Sequence, residues 1–221
     1  EAADVANAAE DWGRPSRRTD EDTFAYNWSN RGGIGSLRGQ TVGILGFGEI
    51  GTELARRLRG FEPARVLYHK RSRLPEAAER DLGITYVTRE AVVAESDTLC
   101  VLLPYFPETD RLLDGALLAT MRPGACLVSC GSGSVIDEAA LAAAVRAGRL
   151  AGAALDTYGW EPLRPDNPLL PLARDPEANV LLTPHTAAGG TRPPSDVPPR
   201  RVQYTNLVRV LAGQEPLFVV G

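Results

Sequence analysis

The sequence predicts an α/β fold, a doubly wound parallel sheet of about seven strands with helices on both faces. Residues 41–58 pass from an apolar, strand-like run through a glycine-rich turn into a helical pattern. Short apolar runs and helical segments then alternate as far as residue 182. The run 98–103 is apolar throughout and stops at Pro104, as a strand buried on both faces does. This alternation is typical of parallel strands joined by crossover helices.

The glycine-rich turn carries the first functional signal. Residues 41–51 are Thr-Val-Gly-Ile-Leu-Gly-Phe-Gly-Glu-Ile-Gly, so that Gly46, Gly48 and Gly51 form G-x-G-x-x-G between strand and helix. In that context the first glycine makes a tight turn, the second lets a pyrophosphate approach the backbone, and the third lets helix and strand pack closely. The helix N-terminus offers unpaired N–H groups and the positive end of its dipole to the phosphates. These residues therefore predict a dinucleotide site.

The remaining elements are predicted in chain order. Strands are expected at 65–69, 84–87, 98–103, 125–129, 150–155 and 179–182, and helices at 1–12, 114–121, 138–147 (capped by Asp137 and ended by Gly148) and 201–212. Residues 192–200 hold four prolines, which exclude a regular helix or a central strand. Residues 13–40 are polar but carry Phe24, Tyr26 and Trp28 at alternate positions, a pattern of either an exposed loop or a segment that covers another surface.

The composition excludes several classes of function. A net charge of −4 argues against a general nucleic-acid binder, and no apolar run approaches the length of a membrane span. The acidic, alanine-rich N-terminus is not a secretory signal. Three cysteines (Cys100, Cys126 and Cys130) without metal-ligand spacing, and two histidines, leave little room for a metal site. We predict a soluble, cytoplasmic protein with no metal, nucleic-acid or membrane partner.

The end of the second predicted strand indicates which dinucleotide binds. An NAD-binding domain usually holds the ribose 2′-hydroxyl with Asp or Glu about 20 residues beyond the glycine motif. Here the strand ends in His69-Lys70-Arg71-Ser72-Arg73, without an acid. Because Lys and Arg pair with a 2′-phosphate that a carboxylate would repel, the segment predicts a preference for NADP(H), with NAD(H) as the alternative cofactor. The other interpretation of this run is a solvated basic loop.

Four stretches, in order along nearly the whole chain, resemble one known family. They are 37–51, 102–109, 121–138 and the segment from Leu155-Asp156 to Thr183-Pro184-His185. The family is that of the D-isomer-specific 2-hydroxyacid dehydrogenases, which includes hydroxypyruvate/glyoxylate reductases, phosphoglycerate dehydrogenase and phosphite dehydrogenase. The resemblance implies a Rossmann domain that is inserted into a substrate-binding domain.

The resemblance also implies a division of the chain. It assigns a crossover helix to 1–12, a loop and dimerisation arm to 13–40, the dinucleotide-binding Rossmann domain to 41–190, and a proline-rich loop with the return helix of the substrate domain to 191–221. Most of the family's substrate domain is expected to be absent from this chain. A homodimer through the Rossmann domain is expected, with the arm embracing the neighbour.

The family's catalytic residues map onto three positions. The resemblance implies that His185 is the acid/base and that Glu161 orients it, which suits a neutral-range proton donor paired with a carboxylate. The family's substrate-clamping arginine, in the motif Asn-Thr-Ala-Arg-Gly, aligns with Ser132. Three explanations stay open: the substrate lacks a carboxylate, an arginine elsewhere serves, or the site no longer catalyses the family reaction.

Further family positions concern the cofactor. Pro104 and Thr109 are expected beside its adenosine half, and Asp156 is expected to face the nicotinamide carboxamide. Cys130 is either a reactive thiol or a packing residue. The predicted cofactor contacts are Gly46, Phe47, Gly48, Glu49, Ile50, Gly51, His69, Lys70, Arg71, Ser72, Arg73, Leu103, Pro104, Thr109, Cys130, Gly131, Asp156 and His185.

The resulting hypothesis is an oxidoreductase that transfers a hydride between NADP(H) and a 2-hydroxy or 2-oxo acid, or a related small substrate. Two other hypotheses stay open. The protein is a cofactor-binding sensor or scaffold without turnover, or it is an isolated cofactor domain that needs a partner chain to complete its cleft.

Overall fold

The computed structural model describes residues 18, 35–175, 177–187 and 208–215. The expected helix at 1–12, the aromatic residues of the segment 13–34 and the prolines of 192–200 lie outside the described residues. The chain divides into two compact units, one ending at Ala187 and one beginning at Ala188. In the second unit, residues 208–211 are helical and Gly213 follows with φ +68°, which agrees with the predicted end of the last helix.

The first unit is built on a single sheet of seven parallel strands in the order β3-β2-β1-β4-β5-β6-β7. This confirms the predicted fold class. The strands are β1 Thr41–Leu45, β2 Arg65–His69, β3 Thr85–Tyr86, β4 Thr98–Val101, β5 Ala125–Ser129, β6 Leu150–Leu155 and β7 Val180–Leu182.

Helices connect these strands. They are α1 Glu49–Leu58, α2 Glu76–Leu82, α3 Arg89–Glu95, α4 Gly115–Leu118, α5 Glu138–Arg146 and α6 Leu170–Ala173, with single 3₁₀ turns at Arg59–Phe61, Pro107–Thr109 and Gly133–Val135. Among the described residues, no helix has the length and apolar character needed to cross a membrane.

Several predicted boundaries were wrong. The expected strand 84–87 pairs only at Thr85–Tyr86, and the expected helix 114–121 is regular only over Gly115–Leu118, with turns as far as Met121. The strand expected at 98–103 ends at Val101, although the Leu102 N–H still donates to the Leu45 carbonyl of β1 at 2.8 Å. The backbone of Leu102 and Leu103 packs against Gly46 and Gly131, which lie in the turns after β1 and β5. Helices α2, α3 and α6 were missed, since each is short and two of the three lie in polar sequence.

Two hydrophobic clusters lie on opposite faces of the sheet, because successive side chains of a strand point to opposite sides. In β1, Val42 and Ile44 belong to one cluster and Leu45 to the other. The first cluster receives buried residues of α1 and α2, and the second those of α3, α4 and α5. Helices therefore cover both faces, as a doubly wound sheet requires.

The strand order places a crevice at the carboxyl edge of the sheet. The chain leaves β1 toward β2 and later returns to β4 on the other side of β1, which is the topological switch point where open α/β sheets bind ligands. The turn after β1 and the segment after β4 meet there. A Cβ on Gly46, which has φ +92°, would lie 2.7 Å from the carbonyl carbon of Leu102.

Candidate active site at the carboxyl edge of the sheet

The glycine turn has the geometry that a dinucleotide needs. Gly46 has a positive φ, as the tight turn after β1 requires, and its N–H donates at 3.0 Å to the carbonyl of His69, which ties the start of the turn to the end of β2. Gly51 packs against the Phe47 ring, 3.2 Å from an added Cβ. A Cβ on Gly48 would instead meet no atom of the described residues within 4 Å. Internal packing therefore accounts for two of the glycines, whereas the open space at Gly48 fits the close approach of a ligand to the start of α1.

A histidine and a carboxylate are paired at the far side of the same edge. His185 lies just after β7, and its Nδ1 lies 2.8 Å from Oε2 of Glu161, in the loop after β6. The other oxygen of Glu161 accepts the N–H of Tyr158 at 3.0 Å. The bond and charge of Glu161 raise the pKa of His185, and the bond from His185 lowers the pKa of Glu161. With Nδ1 bonded to the carboxylate, Nε2 is the nitrogen that can exchange a proton with a substrate.

Asp156 fixes the turn that carries His185. Asp156 directly follows β6 and is 5% exposed. Its carboxylate accepts the hydroxyl of Thr183 at 2.6 Å and the N–H groups of Thr186 and Ala187 at 2.8 and 3.0 Å. Burial would raise the pKa of Asp156, but these hydrogen bonds outweigh it and the pKa is lowered. Both carboxylate oxygens are bonded to the turn, and the expected contact with the nicotinamide carboxamide stays a prediction.

The turn also depends on Tyr158, which the sequence analysis missed. The Tyr158 hydroxyl lies 2.8 Å from the Thr183 carbonyl oxygen and 3.1 Å from that of Leu155, so it joins the end of β6 to the end of β7. The signal that could have found it is its position between Asp156 and Glu161. His185 has φ +54°, a left-handed conformation that is uncommon outside glycine and is held here by the surrounding bonds.

Ser132 lies in the loop after β5, which is packed tightly against the segment that follows β4. Its N–H donates to the Leu103 carbonyl at 2.8 Å. A Cβ on Gly131 would lie 2.6 Å from the same Leu103 oxygen, and one on Gly133 would lie 2.0 Å from the carbonyl carbon of Tyr158. The loop after β5 therefore contacts both the segment after β4 and the loop that holds Glu161.

The side chains of the basic segment after β2, residues 69–73, differ in the contacts that they make within the protein. The guanidinium of Arg73 donates to both oxygens of Glu79, at 2.9 and 2.7 Å. His69 Nδ1 lies 2.9 Å from the Val87 carbonyl oxygen. The Arg71 guanidinium instead lies 5.2 Å from the centre of the exposed Phe106 ring, next to the loop after β4. Lys70, Arg71 and Ser72 are thus the members of this segment best placed to meet a cofactor phosphate, and those contacts stay predictions.

The loop after β4 is closed by Thr109. Its hydroxyl accepts the N–H of Phe106 at 2.8 Å and lies 3.0 Å from the carbonyl oxygens of Pro104 and Phe106. The nearby Cys130 is exposed, yet partial burial and then the charge of Asp156 raise the pKa of its thiol. A raised pKa leaves less thiolate, which argues against a reactive role for Cys130.

A glycine turn at the switch point of a parallel sheet, facing a paired histidine and glutamate, is the arrangement of a nicotinamide dinucleotide-binding domain of the dehydrogenase type. The comparison with protein families makes the assignment particular. Residues 8–187 match the family described as "D-isomer specific 2-hydroxyacid dehydrogenase, NAD binding domain", and the chain belongs to this family.

Individual relatives agree with the assignment. The chain is 43% identical over 156 residues to a glyoxylate reductase of Aeropyrum pernix, covering 71% of this chain and 44% of the relative. It is 37% identical over 200 residues to a glyoxylate/hydroxypyruvate reductase B of Pectobacterium atrosepticum, covering 88% and 59%. The chain thus spans about half the length of the curated relatives that it matches.

Solved structures show the same fold. The PH0520 protein from Pyrococcus horikoshii OT3 superimposes with a TM-score of 0.76 at 32% identity, over 90% of this chain and 57% of that one. The apo form of Rhodotorula graminis D-mandelate dehydrogenase superimposes with a TM-score of 0.70 at 30% identity, over 85% and 52%. The predicted family and the predicted fold class are both confirmed.

Proposed function

We propose that the protein is an oxidoreductase that transfers a hydride between NADP(H) and a 2-hydroxy or 2-oxo acid. The observation that carries the proposal is the pairing of His185 with Glu161 at 2.8 Å on the sheet edge that also holds the glycine turn. The names of the relatives, which include glyoxylate reductases, support a small 2-oxo acid as the substrate class.

The proposed chemistry needs one proton and one hydride. The bound dinucleotide supplies or accepts the hydride at its nicotinamide ring. In the direction of reduction, His185 gives the proton at Nε2 to the oxygen that becomes the hydroxyl, and Glu161 stabilises the imidazolium beforehand. Asp156 and Tyr158 hold the turn so that His185 keeps its left-handed conformation. Because the pKa of His185 is raised, its proton-donating form persists to higher pH than that of an unpaired histidine.

The preference for NADP(H) is supported by the charge at the end of β2. Lys70 and Arg71 follow the strand directly, and Arg71 lies against the loop after β4, where the adenosine half of the cofactor is expected. Phosphate oxygens pair strongly with such side chains. The family match supports a nicotinamide cofactor, and the choice of the phosphorylated form is part of the proposal.

The experiment is a titration with NADPH and NADH, followed by nicotinamide fluorescence, and then an assay of NADPH oxidation with glyoxylate. We expect tighter binding of NADPH, turnover with glyoxylate, and in His185→Gln a loss of turnover of about 10²-fold or more that far exceeds any change in NADPH affinity. Turnover that survives in His185→Gln would contradict the assignment of the acid. Equal binding of the two cofactors would contradict the NADP(H) preference.

A second candidate is a cofactor-binding sensor or scaffold without turnover. The observation that favours it is Ser132, which stands at the position of the family's substrate-clamping arginine. A serine hydroxyl cannot replace a bidentate, charge-assisted contact with a carboxylate. Tight NADPH binding without turnover of any 2-oxo acid would support this candidate. Gain of turnover in Ser132→Arg, but not in Ser132→Gln, would show that the missing clamp is the reason.

We further propose that the protein forms a homodimer through the dinucleotide-binding domain and works in the cytoplasm. Residues 13–34, whose alternate aromatics suit a subunit contact, lie outside the described residues. Support for a reducing compartment comes from the three cysteines, which are all free thiols. Sedimentation at micromolar concentration tests the dimer, and a single monomeric species would contradict it.

A further inference from the structure

A continuous set of contacts joins the glycine turn to the basic segment after β2. The Phe47 ring, within the turn, packs against the Tyr68 ring with centroids 4.7 Å apart. The Tyr68 hydroxyl donates to Oε1 of Glu79 at 2.7 Å. Glu79 then accepts both donors of Arg73. The two parts of the chain that are expected to meet the pyrophosphate and the 2′-phosphate are therefore linked through one carboxylate.

Glu79 is built into the structure as a partnered, buried charge. It lies on α2 and is 7% exposed, while the Tyr68 side chain beside it is fully buried. The hydrogen bonds from Arg73 and Tyr68 lower the pKa of Glu79 to about 2, and burial together with Glu79 raises the pKa of Tyr68 to about 12. Near neutral pH, Glu79 is therefore a carboxylate and Tyr68 is a neutral hydrogen-bond donor.

These contacts fix the segment 70–74 at several points. The Tyr68 hydroxyl accepts the N–H of Leu74 at 2.9 Å. The Tyr86 hydroxyl reaches the Lys70 carbonyl at 3.4 Å, and the Tyr86 ring stands edge-on to Tyr68 at 5.4 Å. Arg73 is held between Glu79 and the Tyr86 ring, whose centre lies 6.0 Å from its guanidinium carbon. Arg71 and Ser72 form the exposed apex between these fixed points.

We infer that Glu79 is a positioning residue for cofactor selectivity: by binding Arg73 and Tyr68 it holds the segment 70–74 so that Lys70 and Arg71 meet the 2′-phosphate. In this assignment Arg73 braces the segment and is not itself the phosphate ligand. The inference rests on the proposed preference for NADP(H). It adds the residue that sets where Lys70 and Arg71 lie relative to the 2′-phosphate.

The inference makes a prediction opposite to that of simple electrostatics. Glu79 is negative and lies near the expected phosphate, so a purely Coulombic view predicts that its removal strengthens NADPH binding. If Glu79 acts by holding the segment, its removal weakens NADPH binding, because a charged contact that is misplaced by about 1 Å loses most of its benefit. The direction of the change in NADPH affinity therefore distinguishes a Coulombic effect of Glu79 from a positioning role.

The test is Glu79→Gln in the full chain, with the Kd values of NADPH and NADH measured by nicotinamide fluorescence. We expect the NADPH Kd to rise about tenfold and the NADH Kd to stay within about twofold, so that selectivity falls by about the same factor. The matched control is Glu76→Gln, which removes the same charge from the same helix. Glu76 is exposed and pairs only loosely with Arg80, at 3.7 Å, and its variant is expected to keep the wild-type selectivity.

The outcomes are distinct. Unchanged selectivity in Glu79→Gln, tighter NADPH binding, or equal weakening of both cofactors would each overturn the inference while leaving the proposed preference intact. A wild-type protein that binds both cofactors equally overturns the preference and the inference together. If Glu79→Gln does not fold, Arg73→Lys replaces it. Lysine keeps the charge but loses the two-pronged bond, so the inference requires the same loss of selectivity, and wild-type selectivity in that variant would overturn it.

Discussion

Two segments on the same edge of the sheet are each held by one buried carboxylate, but in different ways. Asp156 holds the turn 183–187 mainly through backbone N–H groups, whereas Glu79 holds the segment 70–74 only through the side chains of Arg73 and Tyr68. Backbone donors are present whatever the local sequence, so the turn 183–187 keeps its shape when its side chains vary. The basic segment is held through side-chain donors, so a substitution at Arg73 or Tyr68 can change its shape, which makes it the more adjustable of the two segments.

The largest expected effect comes from breaking the backbone-held turn. Asp156→Ala leaves the N–H groups of Thr186 and Ala187 and the hydroxyl of Thr183 without their acceptor. Because unpaired donors in a partly buried site are costly, we expect a loss of about 3 kcal/mol in the free energy of unfolding and a loss of turnover. Denaturant unfolding measures the first and the glyoxylate assay the second.

The control for this variant is Asp166→Ala, which removes an exposed carboxylate that pairs with Arg164 in the same loop. It is expected to change the free energy of unfolding by less than about 0.5 kcal/mol. Because the pKa of Asp156 is lowered, its stabilisation is present above the ordinary pKa of an aspartate and is lost as the pH falls through the lowered value. The wild type and Asp156→Ala should therefore converge in acid, and a constant difference would contradict the role of the carboxylate.

A smaller effect is expected where side chains do the holding. Tyr68→Phe keeps the ring against Phe47 but removes the hydroxyl that bonds Glu79 and Leu74. We expect a loss of about 1.5 kcal/mol in the free energy of unfolding, with reduced NADPH selectivity and an unchanged pH profile of turnover. Tyr86→Phe removes a hydroxyl that makes a longer bond of 3.4 Å, so it should lower the free energy of unfolding by less. A Tyr68→Phe protein that lost turnover but kept its selectivity would contradict the separate roles given to the turn 183–187 and the segment 70–74.

The smallest structural effect, with a clear functional signature, is expected from Glu161→Gln. The glutamine can still accept a bond from His185 but no longer stabilises the imidazolium, so the pKa of His185 moves back toward its ordinary value. In the proposed mechanism, reduction needs protonated His185, and its rate falls as the pH rises through the pKa of His185. The falling limb of the pH–rate profile should therefore move to lower pH in the variant. An unmoved limb would show that another group provides the proton.

The same pair makes a prediction about stability. The pKa of His185 is raised in the folded protein, so the stability it contributes is fully present below the ordinary pKa of histidine and is lost as the pH rises through the raised value. The stability of Glu161→Gln should therefore fall below that of the wild type in mild acid and match it in alkali. His185 is largely exposed, so this difference will be small.

The fold was predictable where local patterns decide the structure. The strands β1, β2, β5 and β6 have the predicted bounds because continuous apolar runs mark them, and Asp137 caps α5 as expected, accepting two backbone N–H groups. The early end of β4 was not predictable. Leu102 and Leu103 continue the apolar run, but their backbone occupies the space that Gly46 and Gly131 leave open in the turns after β1 and β5.

The site was predictable only in part, for a similar reason. The glycine motif follows from sequence alone, and the pairing of His185 with Glu161 required the resemblance to a family because the two residues are far apart in the chain. Glu79 carried no signal. Its role depends on how α2 sits against Tyr68, and an acid within a polar helix has no sequence feature that marks it as buried. The pairing of Arg73 with Glu79 left no mark in the sequence for the same reason.

The backbone at Leu102–Leu103 is clamped between Gly46 and Gly131, either of which would collide with it if it carried a Cβ. A library that randomises this protein to obtain a different cofactor or substrate must therefore keep Gly46 and Gly131 as glycine. Useful diversity belongs at the exposed residues Arg71 and Ser72 and at Ser132 itself, where a changed side chain alters what is recognised without disturbing the backbone packing.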